Sequence, residues 1–383
     1  MKEGMVRELE TGALPELEAS IASLNMTPGW IKREVPLLWK EMQSEFVPAQ
    51  WRYTQTRKLM QQAAKEIGTD LAERRNFVMR NPIPGNDFAV LRTMICAYQT
   101  MLPGEKAMSH RHAPHAMRVM LESNGAYSIV NGHRHPMDSG DIVLTPGGCW
   151  HGHGHEGSEQ AFWVDGLDVP LTHLLEPMFY EPHPARWESV TNNERLSPMR
   201  FAWADTVQGL KNSSTDSAGH FGKTMPLDTS ACMPTLTLKV CSWQKGWSNR
   251  PYRHTANAVY VVMQGSGTST IGESHFDWSF GDVIAAPGWS RVEHHASENS
   301  VTRPIPARIS MAPARPSELT AIHRGSNSEP IAERPTPPTS KISGIQLNDQ
   351  RISSNGRRTS TSTAVVPEPP VWAMNTAWPC RET

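Results

Sequence analysis

The sequence has few cysteines, no long apolar run and almost no net charge, and each shortage excludes a class of protein. Its 383 residues include five cysteines that form no CxxC pair, which excludes a thiolate metal site and favours a reducing compartment. No apolar run approaches the roughly 20 residues that cross a bilayer. The net charge of −1 gives no reason to expect a nucleic-acid or membrane partner. The charged N-terminus lacks the apolar core of a signal peptide, so we predict a cytoplasmic protein.

Histidine, by contrast, is concentrated in one stretch, Ser109–Glu156, which holds eight of the chain's 16 histidines. His110 and His112 are separated by one residue, so in a strand their side chains point to the same face. His151 lies 39 residues further on. The glycines between them predict strand–turn–strand structure that returns His151 to the same place. We therefore predict that these three imidazoles bind one first-row metal ion.

Hydrophobic periodicity divides the rest of the chain into a helical start and two sets of strands. Apolar residues at helical spacing predict helices over Ile31–Phe46 and Thr54–Ile67. From Asp87, short apolar runs alternate with Gly, Asn, Asp and Pro turns, a pattern that is typical of a sandwich or barrel. The predicted segments are 1–85 (N-terminal helical), 86–175 (first barrel, metal-binding and catalytic), 176–230 (connecting), 231–300 (second barrel, structural) and 301–383 (tail).

The two sets of strands are an internal repeat, which spacing shows better than identity. Glycine–aspartate and proline positions recur as well, at Gly140, Asp141 and Pro146 and again at Gly281, Asp282 and Pro287. The corresponding pairs are Gly104 and Gly246, His110 and Tyr252, His112 and His254, Arg118 and Tyr260, and Gly125 and Gly267. The repeat predicts a mainly β protein with two similar barrels in tandem.

The tail has a different composition. Twelve of the chain's 31 prolines lie beyond Ser300, among Ser, Thr and Arg and with almost no apolar periodicity. Such a segment cannot bury enough apolar surface to offset chain entropy, so we predict that it is disordered. The change is abrupt and falls where a closing strand of the second barrel is expected, so the choice between a native tail and a frame-altered end stays open.

The spacing around the histidines is that of two linked motifs, G-x5-HxH-x5-R-x6-G and G-x5-PxG-x2-H. The first runs from Gly104 to Gly125 and the second from Gly140 to His151. They resemble the two signature motifs of the cupin superfamily. That resemblance implies jelly-roll barrels and a metal ion held by His110, His112 and His151.

Arg118 stands where many cupins carry a glutamate ligand. A guanidinium cannot ligate a cation, but it binds a carboxylate in a two-pronged fashion. The runs YQTMLPGEKAMSHRH, HAMRVMLESNGAYSIVNG, GDIVLTPGGCWHGHGHEG and WVDGLDVPL, over about residues 30–298, are similar to the bicupin ring-cleaving dioxygenases. These are the gentisate, salicylate and 1-hydroxy-2-naphthoate 1,2-dioxygenases.

The resemblance implies Fe(II) as cofactor and an aromatic substrate that chelates it through a carboxylate and an ortho hydroxyl. Both atoms of O2 would be inserted between the two carbons that bear these groups. Arg118 would anchor the carboxylate. Arg74 matches an arginine that reaches the substrate in relatives, although the neighbouring Arg75 could serve instead. Gln99 and Asp165 match family positions near the iron.

Other histidines receive separate predictions. His153 follows His151 by two residues and could face the same cavity as a hydrogen-bond partner or proton shuttle. His115, His133 and His135 are predicted to be solvent-facing turn residues. The second barrel has lost the ligand set and is predicted to be structural, with a weak metal site left open.

The sequence predicts the identity of the substrate less strongly than the fold or the class of enzyme. The sequence of the first barrel favours a salicylate or substituted salicylate, such as 5-nitrosalicylate, as the substrate, with gentisate and 1-hydroxy-2-naphthoate as alternatives. Another cupin activity, such as an oxalate-type decarboxylase or a sugar isomerase, is disfavoured by the missing glutamate. From another class, a metal-free bicupin binding protein is disfavoured by three intact ligands. The resemblance also implies a homo-oligomer, specifically a homotetramer.

Overall fold

The computed structural model describes residues 14–34, 36–69, 71–193, 197–230 and 232–297, and the backbone of a strand at 307–313. The helices among these residues are α1 (Leu14–Ser23), α2 (Tyr53–Glu66), α3 (Val169–Leu174) and α4 (Trp203–Asn212). The first strands are β1 (Ala49–Trp51), β2 (Arg75–Met79), β3 (Ile95–Met101), β4 (Lys106–His112), β5 (Ala116–Glu122), β6 (Ala126–Val130), β7 (His133–Pro136), β8 (Ile142–Thr145), β9 (His151–His155) and β10 (Ala161–Leu167). The later strands are β11 (Tyr180–Pro182), β12 (Arg200–Phe201), β13 (Lys223–Leu227), β14 (Leu236–Ser242), β15 (Ala258–Val262), β16 (Gly267–Ile271), β17 (Ser274–Trp278), β18 (Val283–Ala286), β19 (Val292–Ala296) and β20 (Ala307–Pro313).

The first barrel consists of a six-stranded sheet, β12-β8-β5-β10-β3-β2, and a five-stranded sheet, β11-β4-β9-β6-β7. Its strands are buried on both faces, which explains their nearly continuous apolar sequences. On β5, Met117 and Val119 face the main hydrophobic core, whereas Met120 joins the apolar cluster inside the barrel. Because side chains alternate along a strand, Arg118 also faces the inside.

The second barrel repeats this arrangement with the sheets β1-β18-β15-β20-β14-β13 and β17-β16-β19. The prediction of a mainly β chain with two tandem barrels is therefore confirmed. One boundary differs from the prediction. β20 pairs with β14 and β15 in the middle of the larger sheet, although it lies beyond residue 300, where the tail was expected to begin. The predicted tail is otherwise outside the described residues.

Two strand–helix units cross between the barrels. β1 and α2 precede the first barrel in sequence, yet β1 pairs with β18 of the second. β12 and α4 precede the second barrel, yet β12 pairs with β8 of the first. The connecting segment is thus part of both barrels, since it also supplies β11 to the first and β13 to the second. These exchanges join the two barrels into one compact unit.

The N-terminal region differs in part from its predicted helical structure. The helix expected at Thr54–Ile67 is confirmed as α2. The helix expected at Ile31–Phe46 is wrong, because the described residues of that segment contain only bends and irregular backbone. Pro36 leaves too few residues after it for a helix that is stable without packing, and Leu37 and Leu38 are exposed. Among the described residues, no helix is long and apolar enough to cross a membrane.

Candidate metal centre

Three histidines converge at one end of the first barrel. β4 and β9 are antiparallel neighbours, and His110 lies directly opposite His151. His112 is two residues further along β4 and therefore shares the face of His110. The ring centroid of His151 is 4.4 Å from that of His110 and 4.7 Å from that of His112. One nitrogen of each ring lies within 4.8 Å of the others, so the three imidazoles can hold a single metal ion.

The hydrogen bonds of these rings suit metal ligation. Nδ1 of His112 lies 2.8 Å from the Pro114 carbonyl oxygen, and Nδ1 of His151 lies 3.1 Å from that of Cys149. Because a carbonyl only accepts, each Nδ1 carries the proton and Nε2 keeps its lone pair. Burial lowers the pKa of His110 to about 2 and of His112 to about 4, and it lowers the pKa of His151 well below its ordinary value. All three rings are therefore neutral at pH 7, as ligands must be.

Arg118 places a buried positive charge beside this cluster. Its Nη1 donates to Thr145 Oγ1 at 2.6 Å, and its Nε is 3.6 Å from Asp165 Oδ1. Burial lowers the pKa of Arg118 to about 10, which still leaves it charged at pH 7. That charge lowers the pKa of all three ligand histidines. The guanidinium has five donors, so these contacts leave capacity for an anionic ligand.

Asp165 and Gln99 lie on the inner face of the six-stranded sheet, on β10 and β3. Asp165 is directly opposite Arg118, and its Oδ1 accepts a hydrogen bond of 3.0 Å from Trp163 Nε1. Burial raises the pKa of Asp165 to about 6, against the lowering effect of Arg118. Gln99 is buried directly opposite Trp163. The contacts of Asp165 therefore join it to Arg118, and through that residue to the site.

The structure separates the two neighbouring arginines. Nη2 of Arg74 donates to the Met108 carbonyl at 2.9 Å, and the charge of Arg74 lowers the pKa of His110. Arg75 instead forms a buried ion pair with Glu105. Of these two arginines, Arg74 is therefore the one whose charge acts on His110.

His153 and His135 are both buried inside the first barrel. The ring of His153 is 6.2 Å from that of His151 and 6.0 Å from that of Trp163. The prediction of a solvent-facing His135 is wrong, because its side chain is 1% exposed. Asn131 and Gly132 make the turn, and His135 lies on β7 directly opposite Ser128.

The other two histidines predicted to face solvent are half-buried. Nδ1 of His115 accepts a hydrogen bond of 2.9 Å from the Gly147 N–H, so this histidine is part of a turn contact. His133 lies on β7 opposite Val130. Neither belongs to the convergent group of ligands.

Tyr180 is a site residue that sequence reasoning missed. β11 pairs with β4, and the ring of Tyr180 is 5.0 Å from that of His110. Its position in the connecting segment gave no periodicity or motif that could have identified it.

The second barrel has no equivalent centre within the part of the chain that the structure describes. Tyr252 and Val292 face each other as His110 and His151 do. The hydroxyl of Tyr252 is hydrogen-bonded to that of Tyr260, at 2.7 Å. No convergent group of three ligating side chains is found in this barrel among the described residues.

Comparison with known proteins agrees with this geometry. The cupin domain family matches residues 97–169. The chain is 29% identical to a 5-aminosalicylate 1,2-dioxygenase of Comamonas sp. over 73% of its own length and 83% of the relative's. It is 28% identical to gentisate 1,2 dioxygenase 1 of Aquipseudomonas alcaligenes, over 75% and 90%. The crystal structure of salicylate 1,2-dioxygenase from Pseudoaminobacter salicylatoxidans, in an adduct with gentisate, superposes with a TM-score of 0.66 at 22% identity, over 80% and 92%.

The fold and the three convergent histidines define a cupin protein with a metal-ligand set in one of two barrels. Within that class, the chain is similar over 73% and 75% of its length to ring-cleaving 1,2-dioxygenases of the gentisate and salicylate type. The named relatives are dioxygenases, and the chain is accordingly an oxidoreductase of the kind that incorporates both atoms of O2 into its substrate.

Proposed function

We propose that the protein uses Fe(II) to cleave the ring of a salicylate or 5-substituted salicylate, such as 5-nitrosalicylate. The observation that carries the proposal is the combination of three neutral imidazoles with the buried Arg118 beside them. The bond between the hydroxyl-bearing and carboxyl-bearing carbons breaks, and each carbon takes one oxygen atom of O2. The product thus contains all the atoms of the substrate and both atoms of one O2 molecule.

Iron held by His110, His112 and His151 would supply open coordination positions and would pass electrons from the electron-rich ring to O2. The chain's own groups bind and orient the substrate. Arg118 neutralises and fixes the carboxylate, and Arg74 adds a second positive charge. Asp165 is a positioning residue, because it is opposite Arg118 in the sheet and can hold that guanidinium in place.

His153 is proposed to hold and move the proton of the substrate hydroxyl. It lies on the same face of β9 as the ligand His151, with its ring 6.2 Å away. Gln99, on the adjacent inner face, is proposed to contact the bound substrate. The side-chain amide of Gln99 can donate and accept hydrogen bonds, which suits both the hydroxyl and the carboxylate of the substrate.

The relatives support this substrate class. One has 5-aminosalicylate in its name and another gentisate, which is the 5-hydroxy derivative of salicylate. All of them share the 2-hydroxybenzoate unit, which is the part that a metal ion and Arg118 would recognise together. Gentisate is the second candidate, favoured by several relatives that carry its name. A relative named for 1-hydroxy-2-naphthoate, at 26% identity, supports a two-ring substrate less strongly.

A metal-free binding protein of the same fold is the alternative from another class. Such a protein would have no need for three neutral imidazoles, two buried and one half-buried, whose ring nitrogens converge. Burying a ring nitrogen that has no partner costs free energy, which a bound metal ion would recover.

A homo-oligomer, specifically a homotetramer, is proposed as the assembled form. Leu37, Leu38 and Trp39 are exposed by 72%, 88% and 53% in a segment without helix or strand. Such a run of exposed apolar side chains suits burial against another copy of the chain. Light scattering coupled to gel filtration tests this, and a monomer would reject it. The cytoplasmic location remains a prediction from the sequence.

Oxygen uptake tests the proposed activity. The protein is loaded with Fe(II) without air, and salicylate, 5-nitrosalicylate, 5-aminosalicylate, gentisate and 1-hydroxy-2-naphthoate are added in turn to aerated buffer. We expect uptake with at least the 5-substituted salicylates. Uptake with gentisate alone would move the assignment to the second candidate, and no uptake with any compound would reject the dioxygenase.

A further inference from the structure

Three polar residues form a row across the inner face of the first barrel, behind the metal centre. His153 on β9 is directly opposite Ser128 on β6, and Ser128 is directly opposite His135 on β7. Residues directly opposite in antiparallel strands point to the same face, with Cβ atoms about 4.5–5.5 Å apart. All three side chains are almost fully buried. The row therefore runs from beside His151 to the far strand of the sheet.

The hydrogen bonding of this row is incomplete among the described residues. Nδ1 of His153 and both ring nitrogens of His135 are buried without a partner there. Ser128 Oγ has only a long contact, 3.4 Å, to the Gly152 carbonyl. The surrounding cluster is apolar and includes Ala126, Met137 and Trp163. Buried polar groups of this kind are usually satisfied by each other or by internal water.

We propose that Ser128 and His135 are positioning residues for His153, joined to it in a hydrogen-bonded row that internal water completes. A neutral imidazole offers one donor and one acceptor, and a hydroxyl offers both, so the row can be continuous. It fixes the ring of His153 and the nitrogen that carries its proton. The inference rests on the role of His153 in the proposed function.

The second barrel contains a related pair and supports this reading. Ser269 is opposite His294 there, as Ser128 is opposite His153, and Ser269 Oγ lies 2.8 Å from His294 Nδ1. The next strand differs, because Phe276 is opposite Ser269 where His135 is opposite Ser128. The row is thus extended by a histidine only in the barrel that has the metal ligands.

The test uses the variants Ser128→Ala and His135→Phe, with Ser269→Ala as the matched control in the second barrel. We expect each of the first two to lower kcat by about 10-fold or more, as loss of a residue that orients a group at a metal site does, with KM and iron content unchanged. His135→Gln, which keeps a donor and an acceptor, should recover part of kcat. Ser269→Ala should leave kcat unchanged.

A double-mutant cycle distinguishes positioning from general structural damage. In a His153→Ala background, neither Ser128→Ala nor His135→Phe should lower the residual kcat further. A full additional loss in that background, or an equal loss from Ser269→Ala, would overturn the proposal.

Electron density of the unmodified protein provides a readout that needs no activity. Water within hydrogen-bonding distance of His135 is expected, and a dry row without contact between Ser128 and His153 would reject the proposal. If the unmodified protein takes up no oxygen with any substrate, the proposed function fails, while the density still decides whether the row exists.

Discussion

The first and second barrels share backbone hydrogen bonds that flank the segments in which their side chains differ. The Gly104 N–H donates to the His155 carbonyl at 2.8 Å, and the Gly246 N–H donates to the Ala296 carbonyl at 2.9 Å. Both glycines have φ near +80°, the left-handed region that favours glycine. Between these shared hydrogen bonds, the first barrel has His110 and His151 where the second has Tyr252 and Val292.

The glycine–aspartate turns show the same relationship. Asp141 Oδ1 accepts from the Trp203 N–H at 2.9 Å, at the start of α4, and Asp282 Oδ1 accepts from the Tyr53 N–H at 2.8 Å, at the start of α2. A Cβ on the preceding glycine would lie 2.4 Å from the Trp203 ring in one barrel and 2.3 Å from the Tyr53 ring in the other. The turn of the first barrel therefore caps the start of α4, and the turn of the second barrel caps the start of α2.

This comparison shows which residues the fold needs. Glycines and aspartates in both barrels maintain turns, registers and helix starts, whereas His110 and His151 of the first barrel are replaced by Tyr252 and Val292 in the second. Among the described residues, only the first barrel brings three histidines together, and the second barrel forms the same backbone arrangement without such a group.

The largest expected effect comes from removing a ligand. His151→Ala should eliminate tightly bound iron and lower activity by more than about 100-fold, since even residues that only orient a ligand commonly cost 10–100-fold. Metal analysis and oxygen uptake measure both. Val292→Ala, at the matched position of the second barrel, should change neither. Retained iron with full turnover in His151→Ala would refute the ligand assignment.

Arg118→Met should raise KM for carboxylate substrates by about 100-fold, because a hydrogen-bonded buried charge pair contributes on the order of 3 kcal/mol. Steady-state kinetics checks this, and iron content should stay unchanged. Tyr260→Phe replaces the matched residue and should leave KM within about 2-fold, since it removes a neutral hydroxyl in the second barrel. An unchanged KM in Arg118→Met would remove the proposed carboxylate anchor.

Asp282→Ala should lower the free energy of unfolding by about 2–5 kcal/mol, because it leaves the buried N–H of Tyr53 and the half-buried N–H of Ser279 without their acceptor. Asp141→Ala should cost a similar amount in the first barrel. Denaturant unfolding measures both. A loss in only one variant would show that the two turns are not equivalent supports.

The smallest effect concerns pH. Burial raises the pKa of Asp165 to about 6, so between its ordinary pKa and that value the folded protein holds a proton that the unfolded chain has released. The free energy of unfolding therefore falls as pH rises through this window, by up to about 3 kcal/mol. The difference in stability between the unmodified protein and Asp165→Asn, measured at several pH values, should show this slope. A difference that is constant with pH would contradict the raised pKa.

The sequence predicted that His110, His112 and His151 converge because the signal for this is local. An HxH pair in a strand has a fixed geometry, and the internal repeat located both barrels and the inward-facing Arg118. β20 was missed because its surroundings have the composition of a disordered segment. Its partners, β14 and β15, are distant in sequence.

Other misses have a common physical origin in tertiary contacts. His135 follows an Asn-Gly turn, so its burial depends on Ser128 across the sheet and not on its own neighbours. The apolar residues of Ile31–Phe46 have helical spacing, but no described part of the chain buries Leu37 or Leu38. Tyr180 is brought to His110 by the pairing of β11 with β4, for which no local pattern exists.

Labelled dioxygen tests the central claim most directly. The iron-loaded protein is given salicylate or a 5-substituted salicylate under isotopically labelled O2, and the product is analysed by mass spectrometry. Both labelled atoms should appear in one ring-opened product, one on each carbon of the broken bond. A product with no label in the newly formed carboxylate, or one that keeps the ring intact, would contradict ring cleavage by a 1,2-dioxygenase.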